Sequence, residues 1–279
     1  MRLRLDIAYD GSDFRGWAKQ PGLRTVQGEL ERALGKILGS PATLVVAGRT
    51  DAGVHASGQV AHVDLDEHQQ ARVLARRAND QRDPVGRLAD KLRGVLGPYA
   101  DVDVRAVARA AEGFDARFSA VWRRYEYRIA DDVSGYDVFE RNRTTMLRGV
   151  HDVDRMNDAA SRLIGLHDFA AYCKPREEAT TIRTLLEYTW RRHSDGTLIA
   201  HLRADAFCHS MVRALVGACA AVGTGRLEPE DVVTLRDAGE RTSAFPVLVA
   251  RGLTLAEVGY PADELLASRA EQTRARREI

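Results

Sequence analysis

Arg49, Thr50 and Asp51 stand together in the stretch Ala47 to Gln59, A-G-R-T-D-A-G-V-H-A-S-G-Q. Gly48 and Gly53 flank them and permit backbone angles that a Cβ would forbid. An aspartate on a loop of this kind is a candidate nucleophile or base. Taken locally, the same residues also describe a hairpin loop in which Arg49 and Asp51 form a solvated ion pair. His55 follows Asp51 by four residues and, with His62 and Asp64, suggests a metal-dependent hydrolase. That ligand spacing is poor, because Gly53 interrupts the segment, so His55 reads as a residue that shapes the loop. Cys208-His209 is a second ligand-like pair, but neighbouring residues on a helix point to different faces.

The elements around this loop are legible from periodicity. Arg2 to Ala8 alternates Leu3, Leu5 and Ile7 with Arg2, Arg4 and Asp6, which predicts a half-buried strand. Tyr9-Asp10-Gly11-Ser12 carries turn chemistry, and Phe14, Arg15 and Trp17 follow in a loop where the aromatic rings are expected to pack over the sheet edge. Thr25 predicts the N-cap of a helix with Val26, Leu30, Ala33, Leu34, Ile37 and Leu38 on one face, ended by Gly39-Ser40-Pro41. Strands are predicted at 43–47 and 59–65 on either side of the loop. A helical stretch over 68–96 is broken near Asp83-Pro84, and 102–107 is a further strand. The charged piece 79–87 reads as a surface elaboration.

The second half repeats the order. A strand is predicted around Tyr125, Tyr127 and Ile129, then a helix over 153–164, and two strands over 181–191 and 197–205 with a turn at Asp195-Gly196. A helix follows over Met211 to Val222, ending at Gly223. A short helix at 230–239 and a strand at 252–258 complete the half. Each half reads β-α-β-β-α-β, the ferredoxin-like, split-βαβ arrangement, so the fold class is α+β. The expected division is 1–112, 113–267 and a charged tail, 268–279, expected to be mobile. Val133 to Val150 is turn-rich. The pattern also suits a pair of RRM-like modules, although the aromatic RNP1 string is missing.

Composition narrows the class further. The 279 residues carry 44% hydrophobic and 29% charged side chains, which are globular values. The net charge of +1 gives no global basic field, so any nucleic-acid binding must come from a local patch. Lysine occurs only at positions 19, 36, 91 and 174, and the remaining basic residues are arginines, which suit bidentate phosphate contacts. No apolar run approaches membrane-spanning length and M-R-L-R-L-D lacks a signal-peptide core, so a cytoplasmic protein without membrane contact is expected. Cys173, Cys208 and Cys219 form no C-x-x-C pair, and buried, inert thiols are expected rather than a disulfide framework or zinc site.

The string G-R-T-D-A-G-V-H-A resembles the signature of the tRNA pseudouridine synthase A family. Five further stretches resemble it in the same order: Y-D-G-S-D-F-R-G-W (9–17), T-V-Q-G-E-L-E-R-A-L (25–34), A-R-F-S-A-V-W-R-R-Y-E-Y-R-I (116–129), A-F-C-H-S-M-V-R-A-L-V-G (206–217) and G-L-T-L-A-E-V-G-Y-P (252–261). The resemblance implies the pseudouridine synthase fold, with the two halves joined in one continuous antiparallel sheet around a central cleft. It implies isomerisation of uridine to pseudouridine at positions 38, 39 and 40 in the anticodon stem-loop of tRNA, by a homodimer, with no cofactor and no metal.

By the same resemblance Asp51 is the catalytic nucleophile or base, and Arg213 supplies the guanidinium that pairs with it. Arg49 is the arginine that enters the RNA stem and helps hold the flipped nucleotide out. Tyr125 stacks on the flipped uracil with its hydroxyl placed for proton transfer at C5, while Tyr127 is expected to pack. Leu253 closes the other side of the base pocket. Two departures stand out. The segment S-A-F-P-V-L-V-A-R-G-L (243–253) differs from the family's Ala-Pro-type rim, and Cys208 and Ser210 replace bulkier residues, which predicts looser packing behind Arg213. A non-catalytic RNA-folding protein on the same scaffold is the alternative from another class, and the intact R-T-D and R-R-Y-E-Y-R strings argue against it.

Overall fold

The structure is a computed structural model and describes residues 1–75, 82–176 and 180–275. In chain order, strand β1 (Arg2–Tyr9) leads to helix α1 (Val26–Leu38), then β2 (Leu44–Val46), β3 (His55–Asp64), α2 (Glu67–Leu74), α3 (Arg87–Leu96) and β4 (Val102–Arg109). There follow β5 (Trp122–Ala130), β6 (Thr145–Met146), α4 (Val153–Ser161), β7 (Gly165–Asp168), β8 (Ile182–Arg192), β9 (Leu198–Ala204), α5 (Met211–Gly223), α6 (Asp231–Asp237), β10 (Leu253–Gly259) and α7 (Leu266–Ala275). The α+β class and the largely antiparallel sheet follow from this order.

The chain divides into two compact units, residues 1–121 with 256–279, and residues 122–255. In the first, β1 lies between β4 and β3, and β2 lies beyond β3, all antiparallel. This order, β4-β1-β3-β2, is the one a split βαβ unit produces. Leu3, Leu5 and Ile7 all face inward, as the alternation requires. Thr25 caps α1 by accepting the Gly28 N–H through its hydroxyl, and Gly39 ends the helix in the left-handed conformation that its missing Cβ allows.

In the second unit β5 pairs with β9, β9 with β8 and β8 with β7, all antiparallel, while the two-residue β6 runs parallel to β5. Neither β6 nor β7 is long enough to show a period, so neither is visible in the sequence. Helix α5 is buried on all sides except one. Of its thirteen residues only Arg213 is not buried, which marks a helix sunk into the core with one charge left at its margin.

Several sequence expectations change. The tail predicted to be mobile is helical over Leu266–Ala275, with Leu266 and Ala270 buried and Arg274 paired to Asp115 at 2.9 Å. The boundary also moves: β10 contributes Leu253–Leu255 to the second unit and Ala256–Gly259 to the first. In the piece 79–87, residues 79–81 lie outside the described residues; Arg82, Asp83 and Gly86 are exposed, while Val85 and Arg87 are buried. Cys173 and Cys208, expected as separate thiols, form a disulfide with their Cα atoms 5.8 Å apart. That separation lies in the usual range for a bridged pair. Cys219 stays a buried thiol, which burial pushes up to about 12. No helix among the described residues is long and apolar enough to cross a membrane.

The turn-rich segment after β5 is held by one buried carboxylate. Asp131 is completely buried; it accepts both arms of Arg192 at 2.9 Å and the backbone N–H groups of His151 and Val133. Burial alone would push its carboxyl up, but these charge-assisted bonds hold it well below the usual carboxylate range. A depressed folded-state value means that the carboxylate's contribution to stability is complete above about pH 5 and drains away as pH falls below the ordinary value near 3.8. Asp131→Asn is therefore expected to flatten the acid side of the stability profile and to cost about 3–5 kcal/mol near neutrality. Urea melts between pH 3 and pH 7 check this; parallel profiles for the variant and the parent would refute it.

Candidate active site

In the first unit the loop between β2 and β3 is braced from below by the Y-D-G-S-D-F-R-G-W stretch. The Tyr9 hydroxyl is 2.8 Å from Thr50 Oγ1, and the Trp17 backbone N–H donates to the Thr50 carbonyl at 3.0 Å. Gln59, buried midway along β3, donates from Nε2 to the Tyr9 oxygen at 3.2 Å and to the Gly48 carbonyl at 2.9 Å. The Tyr9 oxygen thus joins the Gln59 amide and the Thr50 hydroxyl in one buried network. Burial pushes the Tyr9 phenol up to about 12, which keeps its proton in place across the physiological range.

Backbone fit completes the brace. The Gly53 N–H donates to the Phe14 carbonyl at 3.4 Å with φ at 78°, and the Val54 N–H donates to the Asp51 carbonyl at 3.2 Å. Gly16, at φ 89°, passes so close that a Cβ would come within 2.9 Å of the Thr50 carbonyl oxygen. Phe14 and Trp17 are buried as expected. Thr50 is thus fixed through both its hydroxyl and its carbonyl, with Arg49 exposed on one side and Asp51 half-buried on the other. His55 is buried and its Nδ1 accepts the Gly11 N–H at 3.0 Å, which is the loop-shaping role read from sequence. His62 likewise uses Nδ1 to accept the Ala116 N–H at 3.0 Å. Among the described residues no group of three or more His, Cys, Asp or Glu side chains is placed to hold a metal ion.

The second unit carries Tyr125, Arg213 and Leu253. Tyr125 and Tyr127 share a face of β5 by period two, but their surroundings differ. Tyr127 is fully buried, donates its hydroxyl to the Val249 carbonyl at 2.7 Å and lies 2.8 Å from Thr145 Oγ1; burial pushes its phenol up to about 12. Gly252 leaves room for the Tyr127 ring, since a Cβ there would come within 2.6 Å of Tyr127 Cε1. Tyr125 is only half-buried and meets Phe207 edge to face, with ring centroids 5.1 Å apart. Leu253, directly after Gly252, is buried at the start of β10.

Arg213 is held by groups that its own motif did not advertise. Its Nη1 donates to the Leu248 carbonyl at 3.1 Å, the Leu248 N–H returns to the Arg213 carbonyl at 3.2 Å, and Nη2 donates to Ser210 Oγ at 2.9 Å. The departure at 243–253 is therefore a strap along α5. Phe245 stacks on Tyr172 with centroids 5.4 Å apart, and Leu248 anchors Arg213. The expectation of loose packing behind Arg213 is overturned, because Cys208 is tied to Cys173 and Ser210 bonds the guanidinium itself. Tyr9, Gln59, Phe207, Ser210 and Leu248 were missed by sequence reasoning.

A family model described as tRNA pseudouridine synthase matches residues 159–261. The tRNA pseudouridine synthase A of Leifsonia xyli subsp. xyli is 59% identical over all of this chain and 98% of its own length. Those of Cutibacterium acnes and Tropheryma whipplei are 51% and 42% identical, each over 99% of this chain and over 95% and 98% of their own lengths. An α+β scaffold that braces an Arg-Thr-Asp loop, in a chain with these relatives, defines the class as pseudouridine synthase, an RNA-modifying isomerase. The chain belongs to the tRNA pseudouridine synthase A family.

Proposed function

We propose that this chain converts uridine to pseudouridine at positions 38, 39 and 40 in the anticodon stem-loop of tRNA, as a cytoplasmic homodimer. The observation that carries the reading is the brace on Thr50 through Tyr9, Trp17 and Gln59, which fixes the backbone between Arg49 and Asp51. A nucleophile must be held to within a fraction of an ångström of its target, and such bracing is what a mobile hairpin loop would lack.

The reaction breaks the bond between C1′ and N1, turns the uracil and forms a bond between C1′ and C5. The C5 proton leaves to a base and N1 takes up a proton, so electrons balance without a redox cofactor. Asp51 acts beside the sugar as nucleophile or base. Arg213 is the cation that this reading assigns to that carboxylate. Arg49, exposed next to it, enters the stem and holds the flipped nucleotide out of its stack. Tyr125 stacks on the base and assists proton transfer at C5, and Leu253 closes the opposite side of the base pocket. RNA recognition by shape and phosphate contacts allows several neighbouring uridines to be targets.

Tritium release from C5-labelled uridine in unmodified tRNA tests the reading directly. Release confined to uridines 38 to 40 supports it, and no release from any tRNA overturns it. The two tyrosines give a sharper contrast. Tyr125→Phe keeps the ring and is expected to lose roughly a hundredfold in single-turnover rate, the usual scale of a positioned proton donor or acceptor. Tyr127→Phe is expected to leave that rate within about threefold while lowering stability by about 1–3 kcal/mol, since the Val249 carbonyl loses its buried donor. Equal rates for the two variants would reduce Tyr125 to a packing residue.

A further inference from the structure

Ser210 is the only residue other than glycine with a positive φ among the described residues, at 68°. It also occupies the N-cap of α5, a position where serine ordinarily turns its hydroxyl onto the free backbone N–H groups of the first turn. Here it makes no such bond. Its Oγ instead accepts from Arg213 Nη2 at 2.9 Å, while Arg213 Nη1 reaches the Leu248 carbonyl at 3.1 Å. The left-handed conformation and the unused cap are both unfavourable locally. A residue that bears both, and whose side chain turns to the single charged residue of a buried helix, is placed there for that charge.

We propose that Ser210 is a positioning residue: its hydroxyl, with the Leu248 carbonyl opposite, fixes the rotamer of Arg213 and thereby the direction in which its guanidinium points. The inference rests on the reading of Arg213 given above. Neighbouring contacts support the geometry. The Ala214 N–H donates to the Ser210 carbonyl at 3.0 Å, so the serine is bound to the first turn of the helix through its backbone even though its side chain is diverted. The Lys174 N–H donates to the His209 carbonyl at 2.9 Å, and the Cys173–Cys208 bond ties the preceding residues to the same segment. The loop therefore holds Ser210 in its left-handed conformation from both sides, and the hydroxyl has a fixed origin from which to aim Arg213.

Two substitutions separate the hydroxyl from the backbone. Ser210→Gly removes the hydroxyl and relieves the positive φ, so its melting temperature is expected to equal or exceed the parent's. Ser210→Ala removes the hydroxyl and keeps the strained backbone. Both are expected to lower kcat by roughly tenfold, as loss of a hydrogen bond to a charged group does, with KM for unmodified tRNA changed less than about twofold. In an Arg213→Lys background, where the fork that Ser210 aims is absent, Ser210→Gly is expected to cause no further loss. Parental kcat in Ser210→Gly overturns the proposal, as does a rise in KM with kcat unchanged, or a loss that persists undiminished beside Arg213→Lys. Parental turnover by both Arg213→Lys and Arg213→Ala would instead remove the role of Arg213 itself, which is a different failure.

Discussion

Replacing Asp51 with asparagine is expected to abolish pseudouridine formation while leaving the fold and the affinity for tRNA close to those of the parent. The side chain is half-buried, and the backbone carbonyl at this position shapes the loop by accepting the Val54 N–H at 3.2 Å. Asparagine keeps that carbonyl and the side-chain shape, so the melting temperature should move by no more than an ordinary surface substitution would move it. Affinity comes mostly from phosphate contacts spread over the RNA surface, and losing one carboxylate does not weaken them. The amide cannot act as nucleophile or base, and the rate should fall by at least roughly ten-thousandfold, about 5.4 kcal/mol of barrier. Tritium release under multiple turnover, with filter binding of tRNA alongside, measures both halves of the expectation. Sustained turnover by the Asn variant would sink the assignment of Asp51.

Arg213→Ala is expected to have the next largest effect. Arg213 is the one residue of α5 that is not buried, and its guanidinium is fixed between Ser210 Oγ and the Leu248 carbonyl. On the proposed reading, in which Arg213 serves the reacting carboxylate, a fixed cation contributes on the scale of other preorganised charge partners. Its removal should therefore slow single turnover by roughly a hundredfold to a thousandfold, about 2.7–4 kcal/mol. Lysine restores the charge without the planar fork and should recover only part of the rate. The Leu248 carbonyl loses its donor in the alanine variant, so thermal melting and circular dichroism belong with the kinetics. A folded alanine variant with the parental single-turnover rate would show that Arg213 plays no part in the chemistry.

How the chain divides between legible and hidden information can be argued from these same residues. The Arg-Thr-Asp loop was visible because glycines and turn residues mark a loop locally, and because alternation over Arg2–Tyr9 and heptad-like spacing over Val26–Leu38 fix the elements beneath it. Helix α5 was visible from its apolar run, and Arg213 stood out inside it as a charge among Met211, Val212, Leu215 and Val216. The cap at Thr25 and the stop at Gly39 were equally local. These features depend on bonds within a few residues of one another, and a sequence states such bonds directly.

What only the tertiary structure decided involves groups far apart in the chain. Period two places Tyr125 and Tyr127 on one face, and nothing in the string R-R-Y-E-Y-R says which is covered. Val249, Thr145 and Gly252 decide it by closing over Tyr127 and leaving Tyr125 against Phe207. Tyr9 finds Thr50 across 41 residues, Cys173 finds Cys208 across 35, and Leu248 finds Arg213 across 35. The helix at Leu266–Ala275 lacks an amphipathic stripe, and its order comes from burying Leu266 and Ala270 and from pairing Arg274 with Asp115. Ser210 is the clearest case. By sequence it predicted looser packing behind Arg213, and by structure its hydroxyl serves that guanidinium, because the chain on either side holds its backbone where only the complete fold could put it. Local pattern determined which elements form and which loop carries the chemistry. Side-chain roles within that frame were set by long-range packing, which selects one partner among several that the sequence permits equally.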